Sequence, residues 1–127
     1  MTEVSAQPRS LVVKCTTGPE ENTERCSQAF IVATTALASG ARVSLWLTGD
    51  ASWLALPERA EAVELPHSPP LSELRDAVLA GGTLTVCTQC AARRGITDAA
   101  LVSGARIAGS ASFVAEILEP GVQALVY

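Results

Sequence analysis

Positive charge is scarce in this sequence. Lys14 is the only lysine, and nine lysines and arginines face thirteen carboxylates, for a net charge of −4. A protein that grips a nucleic-acid backbone needs a basic stripe, as does one that adheres to anionic membranes, so direct contact with either is not expected. Histidine is reduced to His67, set in "PHSPP" (66–70). A solvated loop residue is the plain reading there, and half of a Cys–His pair the alternative. Long apolar runs are missing too, and none reaches the 18 residues of a membrane span. The first nine residues, "MTEVSAQPR", have no apolar core of a secretory leader, so a cytoplasmic location is expected. No G-x-S-x-G stands anywhere, which removes support for a serine hydrolase. "GARIAGS" (104–110) echoes a P-loop but lacks its lysine. "TTGPEENT" (16–23) lies where some α/β proteins cradle a phosphate, yet Glu20 and Glu21 would repel one and Pro19 offers no N–H. Internal repeats and low-complexity segments are absent.

What is present describes a folded chain. With 48% hydrophobic and 17% charged residues, 127 residues can bury a core without a disulfide or metal staple. Residues 1–9 are expected to be a flexible tail and 10–127 one domain. "LVVKC" (11–15), "ARVSLWLT" (41–48), "TLTVC" (83–87), "ARIAG" (105–109) and "VQALVY" (122–127) read as strands. "AVEL" (62–65) reads as a further brief one. Between them, 23–40, 71–82, 88–95 and 109–121 read as helices. Cys26, Phe30, Ala33 and Leu37 share one face of the first, and Gly40 is its stop. Ser72 is the expected N-cap of the second. Alternation of strands and helices calls for crossover connections. That predicts a three-layer α/β/α domain with a mainly parallel sheet of about five strands, flavodoxin-like in architecture. In such sheets the binding crevice lies at the carboxyl ends of the strands, here the loops after residues 15, 48 and 87.

Four cysteines then carry the chemistry. Cys87 ends a strand and precedes a helix, where peptide N–H groups favour a thiolate, with Arg93 and Arg94 one turn or more along. Cys90 completes a C-x-x-C, a spacing that suits a dithiol at a helix start. Cys15 ends the first strand, and if that strand neighbours "TLTVC" (83–87) it stands beside Cys87. Cys26 starts the first helix from the same rim. Convergence of all four would raise a zinc or iron–sulfur site, but a single C-x-x-C and the burial of Cys26 on its helix stripe weigh against it. Core packing is the bland alternative for each thiol, and the preferred one for Cys26. Trp46 alternates within a strand and is expected to pack. Trp53 follows the second strand, where it can wall the crevice or an interface.

Three stretches resemble the DsrE/TusD-like (DsrE/DsrF-like) family of small sulfur-relay proteins. They are "TGPEENTERCSQAFIVATTALASG" (17–40), "LTVCTQCAARRG" (84–95) and "GSASFVAEILEPGVQALVY" (109–127). The resemblance implies a DsrEFH-like α/β fold that assembles into oligomers, a homo-trimer or hexamer included. It further implies that the strand-end cysteine, Cys87 here, accepts sulfur as a persulfide and passes it on, as a sulfur carrier or sulfurtransferase. Arg93, Arg94 and Gly95 match the segment that follows it. Cys90 departs from the alanine often found there and is a candidate resolving thiol; Cys15 is a candidate neighbour. Sulfur donor and acceptor proteins are the implied partners, and neither cofactor nor metal is called for. Two other readings stay open: a C-x-x-C redox protein using Cys87 and Cys90, and a non-catalytic oligomeric binding or structural subunit.

Overall fold

The computed structural model describes residues 8–127, so the first seven positions of the expected tail lie outside the described residues. Among these residues five strands form one sheet, β1 (Ser10–Cys15), β2 (Arg42–Leu47), β3 (Thr83–Cys87), β4 (Arg106–Ala108) and β5 (Val122–Val126). Their spatial order is β4-β3-β2-β1-β5, and every neighbouring pair is parallel. Parallel neighbours need crossovers, which the helices supply: α1 (Thr23–Ala38), α2 (Leu71–Gly81), α3 (Thr88–Arg93) and α4 (Ser110–Ile117). A 3-10 helix (Gly49–Ala55) follows β2 and a 3-10 turn (Asp98–Ala100) follows α3. No helix of the described residues is long and apolar enough to cross a membrane.

Side chains alternate across the strands and sort the sheet into two unlike faces. Val13, Leu45, Leu47, Leu84 and Val86 join Phe30 and Ala33 of α1 and Val78 of α2 in one buried cluster. Burying a Val, Leu or Phe of this kind stabilises by about 1.5–3 kcal/mol. The opposite face carries Lys14, Trp46, Thr85 and Arg106, which stand in register across four strands. α4 alone of the longer helices covers it, with the Phe113 ring edge-on to Trp46 at 5.3 Å. Arg106 binds Thr85 and Glu116, and Trp46 Nε1 donates to Glu116. No residue of α4 is buried, and Val114, Leu118 and Val126 are exposed.

Helix ends follow local chemistry. Asn22 caps α1 by accepting from the Arg25 amide, and Gly40 ends it at φ +90°, the left-handed conformation glycine takes at this position. Two local expectations are corrected. "AVEL" forms no strand: Ala62 and Val63 close turns back onto Arg59 and Ala60, which withdraws their amides from any ladder. Ser72 is not the N-cap of α2. That place falls to Pro70, whose ring fixes φ and whose carbonyl takes the first helical bonds from Glu73 and Leu74. The connector between the 3-10 helix and α2 is tied down by a bidentate pair, Arg75 Nη1 and Nη2 on the Glu61 carboxylate at 2.8 and 2.9 Å.

Candidate functional site

Cys87 is the last residue of β3, opposite Ala108 of β4, and serves as the N-cap of α3. Alternation from Thr85 puts its side chain on the α4 face of the sheet. It is partly exposed, whereas Cys15, Cys26 and Cys90 are all buried. Partial burial pushes the Cys87 thiol up. The amides of Cys90 and Gln89, the Cys90 thiol and the Lys14 charge outweigh that, so its net shift is downward from the ordinary thiol range.

Cys90 lies in the first turn of α3, and the C-x-x-C is thus brought together. The Gly49 amide donates to its sulfur at 3.3 Å, linking α3 to the start of the 3-10 helix. Arg94 reinforces that link. Its Nε and Nη2 hold Asp50 Oδ1 at 3.1 and 2.7 Å, and its Nη1 donates to the Cys90 carbonyl. The Arg94 guanidinium is therefore turned to Asp50, and Arg93 is exposed with no ion pair among the described residues. The cation whose field reaches Cys87 is Lys14, one residue before the end of β1 and held 4.8 Å above the Phe113 ring. Sequence reasoning passed over it, although a lone lysine inside an apolar strand was a visible signal.

Cys15 does not stand beside Cys87. β2 lies between β1 and β3, and Cys15, in register with Leu47, points into the buried cluster on the other face. Its partner is Cys26, in the first turn of α1. The Cys15 sulfur donates to the Thr17 carbonyl at 3.4 Å and approaches the Cys26 carbonyl at 3.9 Å, and neither residue is exposed. A hydrogen bond from the Cys26 thiol favours ionisation of Cys15 against the cost of burial, while the same bond and burial push Cys26 strongly up. The four thiols so form two pairs on opposite faces rather than one ligand set, and no group of three or more His, Cys, Asp or Glu fit to hold a metal occurs among the described residues. His67 sits in the connector at φ 60°, in a shallow cleft with Glu24 and Gln28 of α1.

The loop after β1 is folded on its own hydrogen bonds. Glu21 Oε1 takes the Gly18 amide, the Glu21 and Asn22 amides turn back to the Gly18 carbonyl, and Asn22 caps Arg25 and Cys26. The Gly18, Glu21 and Asn22 amides are thus satisfied within the loop, and Pro19 has none to offer.

Comparison with known proteins agrees with this architecture. A model of the DsrE/DsrF-like family matches residues 10–126. The uncharacterized protein MJ0760 of Methanocaldococcus jannaschii is 33% identical over 103 residues, which is 80% of this chain but 38% of that protein. The chain thus spans well under half of that relative. The uncharacterized protein MJ0989 of the same organism is 30% identical over 96 residues, 76% of this chain and 82% of its own. Among solved structures, the ychN protein from E. coli superposes with a TM-score of 0.76 at 17% identity, covering 95% of this chain and all of that one. MTH1491 of Methanobacterium thermoautotrophicum, a protein of unknown function, gives 0.67 at 10% identity with the same coverage. At such identities the structural likenesses establish the fold alone.

Proposed function

The chain belongs to the DsrE/DsrF-like family, and on that premise we propose that it relays sulfur, with Cys87 as the carrier. One observation carries the reading. Of the four thiols, Cys87 alone is partly open to solvent, and its surroundings favour the thiolate. The Cys87 thiolate attacks the outer sulfur of a donor persulfide, R–S–SH. The Cys87 S–S bond forms, the donor S–S bond breaks, and the donor leaves as its thiolate. An acceptor thiolate then attacks the outer sulfur on Cys87, takes it as a new persulfide, and returns Cys87 as thiolate. Electrons balance in each exchange, so no external oxidant is needed. Arg94 acts through position, tying the Cys90 turn to Asp50. Arg93, exposed beside the site, is a contact for a docking partner. Cys15 takes no part. A reducing compartment such as the cytoplasm keeps these thiols free.

A second reading rests on the C-x-x-C spacing, which sets Cys87 at the N-cap and Cys90 in the first turn of the same helix. In it Cys90 attacks the inner sulfur of the Cys87 persulfide, leaving a Cys87–Cys90 disulfide and releasing hydrosulfide. Intact-mass spectrometry with peptide mapping, after incubation with a cysteine desulfurase and cysteine, separates the two. One sulfur gained on Cys87 and absent from Cys87→Ser is the relay outcome. Loss of two hydrogens between Cys87 and Cys90 with no sulfur retained is the dithiol outcome, and no change at all leaves a binding or structural subunit.

The partner of the α4–β5 side is a second copy of the chain. β5 is an edge strand of the sheet among the described residues, with exposed Val126 on it and exposed Val114 and Leu118 in and just after α4. Light scattering should report a homo-oligomer that Leu118→Glu dissociates; a monomeric parent chain would remove this part of the proposal.

A further inference from the structure

A cleft of about 680 Å³ lies beside the thiol site, contains none of the four cysteines and shares only Asp50 with the contacts around Cys90. It opens at the carboxyl ends of β1 and β2, between the β1–α1 loop (Gly18, Pro19, Glu20) and the 3-10 helix (Asp50, Trp53), with residues 59–64 of the connector as its third wall. Its size is that of a small-molecule site, and its place is where open α/β sheets bind ligands. The contact that closes its base is built in. A Cβ at Gly18 would lie 2.8 Å from the Asp50 Cβ, so only glycine lets the loop and the helix meet there.

The lining selects the charge of the occupant. In the loop the Gly18, Glu21 and Asn22 amides are satisfied internally and Pro19 has none, and the carboxylates of the lining outnumber its single arginine. Glu20 and Glu64 line the cleft, both exposed and without an ion pair among the described residues. Asp50, the third carboxylate, is held by Arg94. The flat wall is the half-buried Trp53 indole, and it already carries a cation: the Arg59 guanidinium lies 4.7 Å above the ring centroid. Arg59 is exposed and makes no ion pair among the described residues, so its side chain is free to swing away. An indole face with nearby carboxylates is a receptor for an organic cation, and here the chain's own arginine fills it.

We propose that this cleft binds a small organic cation, an ammonium group on a flat apolar body, which takes the place of Arg59 on Trp53 and sets its charge between Glu20 and Glu64. The site is independent of the sulfur-relay reading. It predicts an unusual sign: removing Arg59, the only positive side chain lining the cleft, should tighten binding of a cation, because the resident competitor is gone.

The test is a titration of the full ¹⁵N-labelled chain with phenethylammonium, followed by amide chemical shifts. Saturable shifts are expected in 18–23, 50–54 and 59–64, with a dissociation constant of about 1 mM or tighter for a ligand of this size. Glu20→Gln with Glu64→Gln should weaken binding about tenfold, and Arg59→Ala should strengthen it by a few-fold. All three positions are exposed, so the fold is not at stake. Cys87→Ser should bind as the parent does, which keeps this outcome separate from that of the relay. Equal affinity for 2-phenylethanol, tighter binding of phenylacetate, weaker binding by Arg59→Ala, shifts that fail to saturate, or shifts that map elsewhere would each overturn the proposal.

Discussion

Cys87 with Cys90 and Cys15 with Cys26 are two thiol pairs at the same end of one sheet, and their surroundings divide them. The first stands on the thinly covered α4 face, with helix-start amides and a lysine at hand. The second lies in the main core beneath α1, where neither residue is exposed. In both pairs one thiol supports ionisation of the other. Local electrostatics are therefore not what separates them: access is. A thiolate that no partner can reach transfers nothing, and the buried pair acts as core packing.

The largest effect that tests this division is on sulfur loading. Cys87→Ser should abolish persulfide formation, while Cys15→Ala and Cys26→Ala retain it. Loading of the Cys87→Ser chain at Cys15 would erase the distinction. Next in size is reactivity. Under native conditions iodoacetamide should label Cys87 first, and Cys15 and Cys26 at least about a thousandfold more slowly, since they wait on opening of the core. Mass mapping over time reads both rates from one sample. Stability should run the other way. Cys26→Ala removes a fully buried side chain and should cost about 1–2 kcal/mol in urea unfolding, against within about 0.5 kcal/mol for Cys87→Ser at its partly exposed position.

The sequence showed the elements more plainly than the neighbours they make. Apolar runs ending at Cys15, Thr48 and Cys87 marked the strands, because a parallel strand buried on both faces needs little beyond β-branched and apolar residues. Breakers at Gly18, Pro19 and Gly49 marked the crevice loops. "AVEL" misled because a four-residue apolar stretch looks alike as a strand or as a turn packed under a loop. That extra strand also left open which strands were adjacent. Cys15 was set beside Cys87 on a conditional pairing that the observed order, with β2 between, does not contain. The same limit explains the charges. Arg93 and Arg94 were conspicuous because they follow Cys87 closely in sequence. Arg94 instead meets Asp50, and Lys14 arrives from β1, contacts that only the assembled sheet defines.

The smallest predicted effect discriminates between those two sources of charge. Lys14→Met keeps an unbranched apolar stem over Phe113 and deletes the charge. Through a solvated site, one unit charge shifts a thiolate equilibrium only about twofold. Iodoacetamide alkylation of Cys87 near neutral pH should slow by that factor, and its rise with pH should move toward the range of an ordinary thiol. The direction follows from the cause: removing a cation disfavours the thiolate, so less of it is present at any pH below its midpoint. Lys14→Arg should restore the parent rate, which a packing effect would not do. Arg94→Gln should leave the profile nearly unchanged, because Asp50 already neutralises that guanidinium. If Arg94→Gln moves the profile more than Lys14→Met does, the arginine that follows Cys87 in sequence, rather than the lysine brought in by β1, sets the charge at the exposed thiol pair.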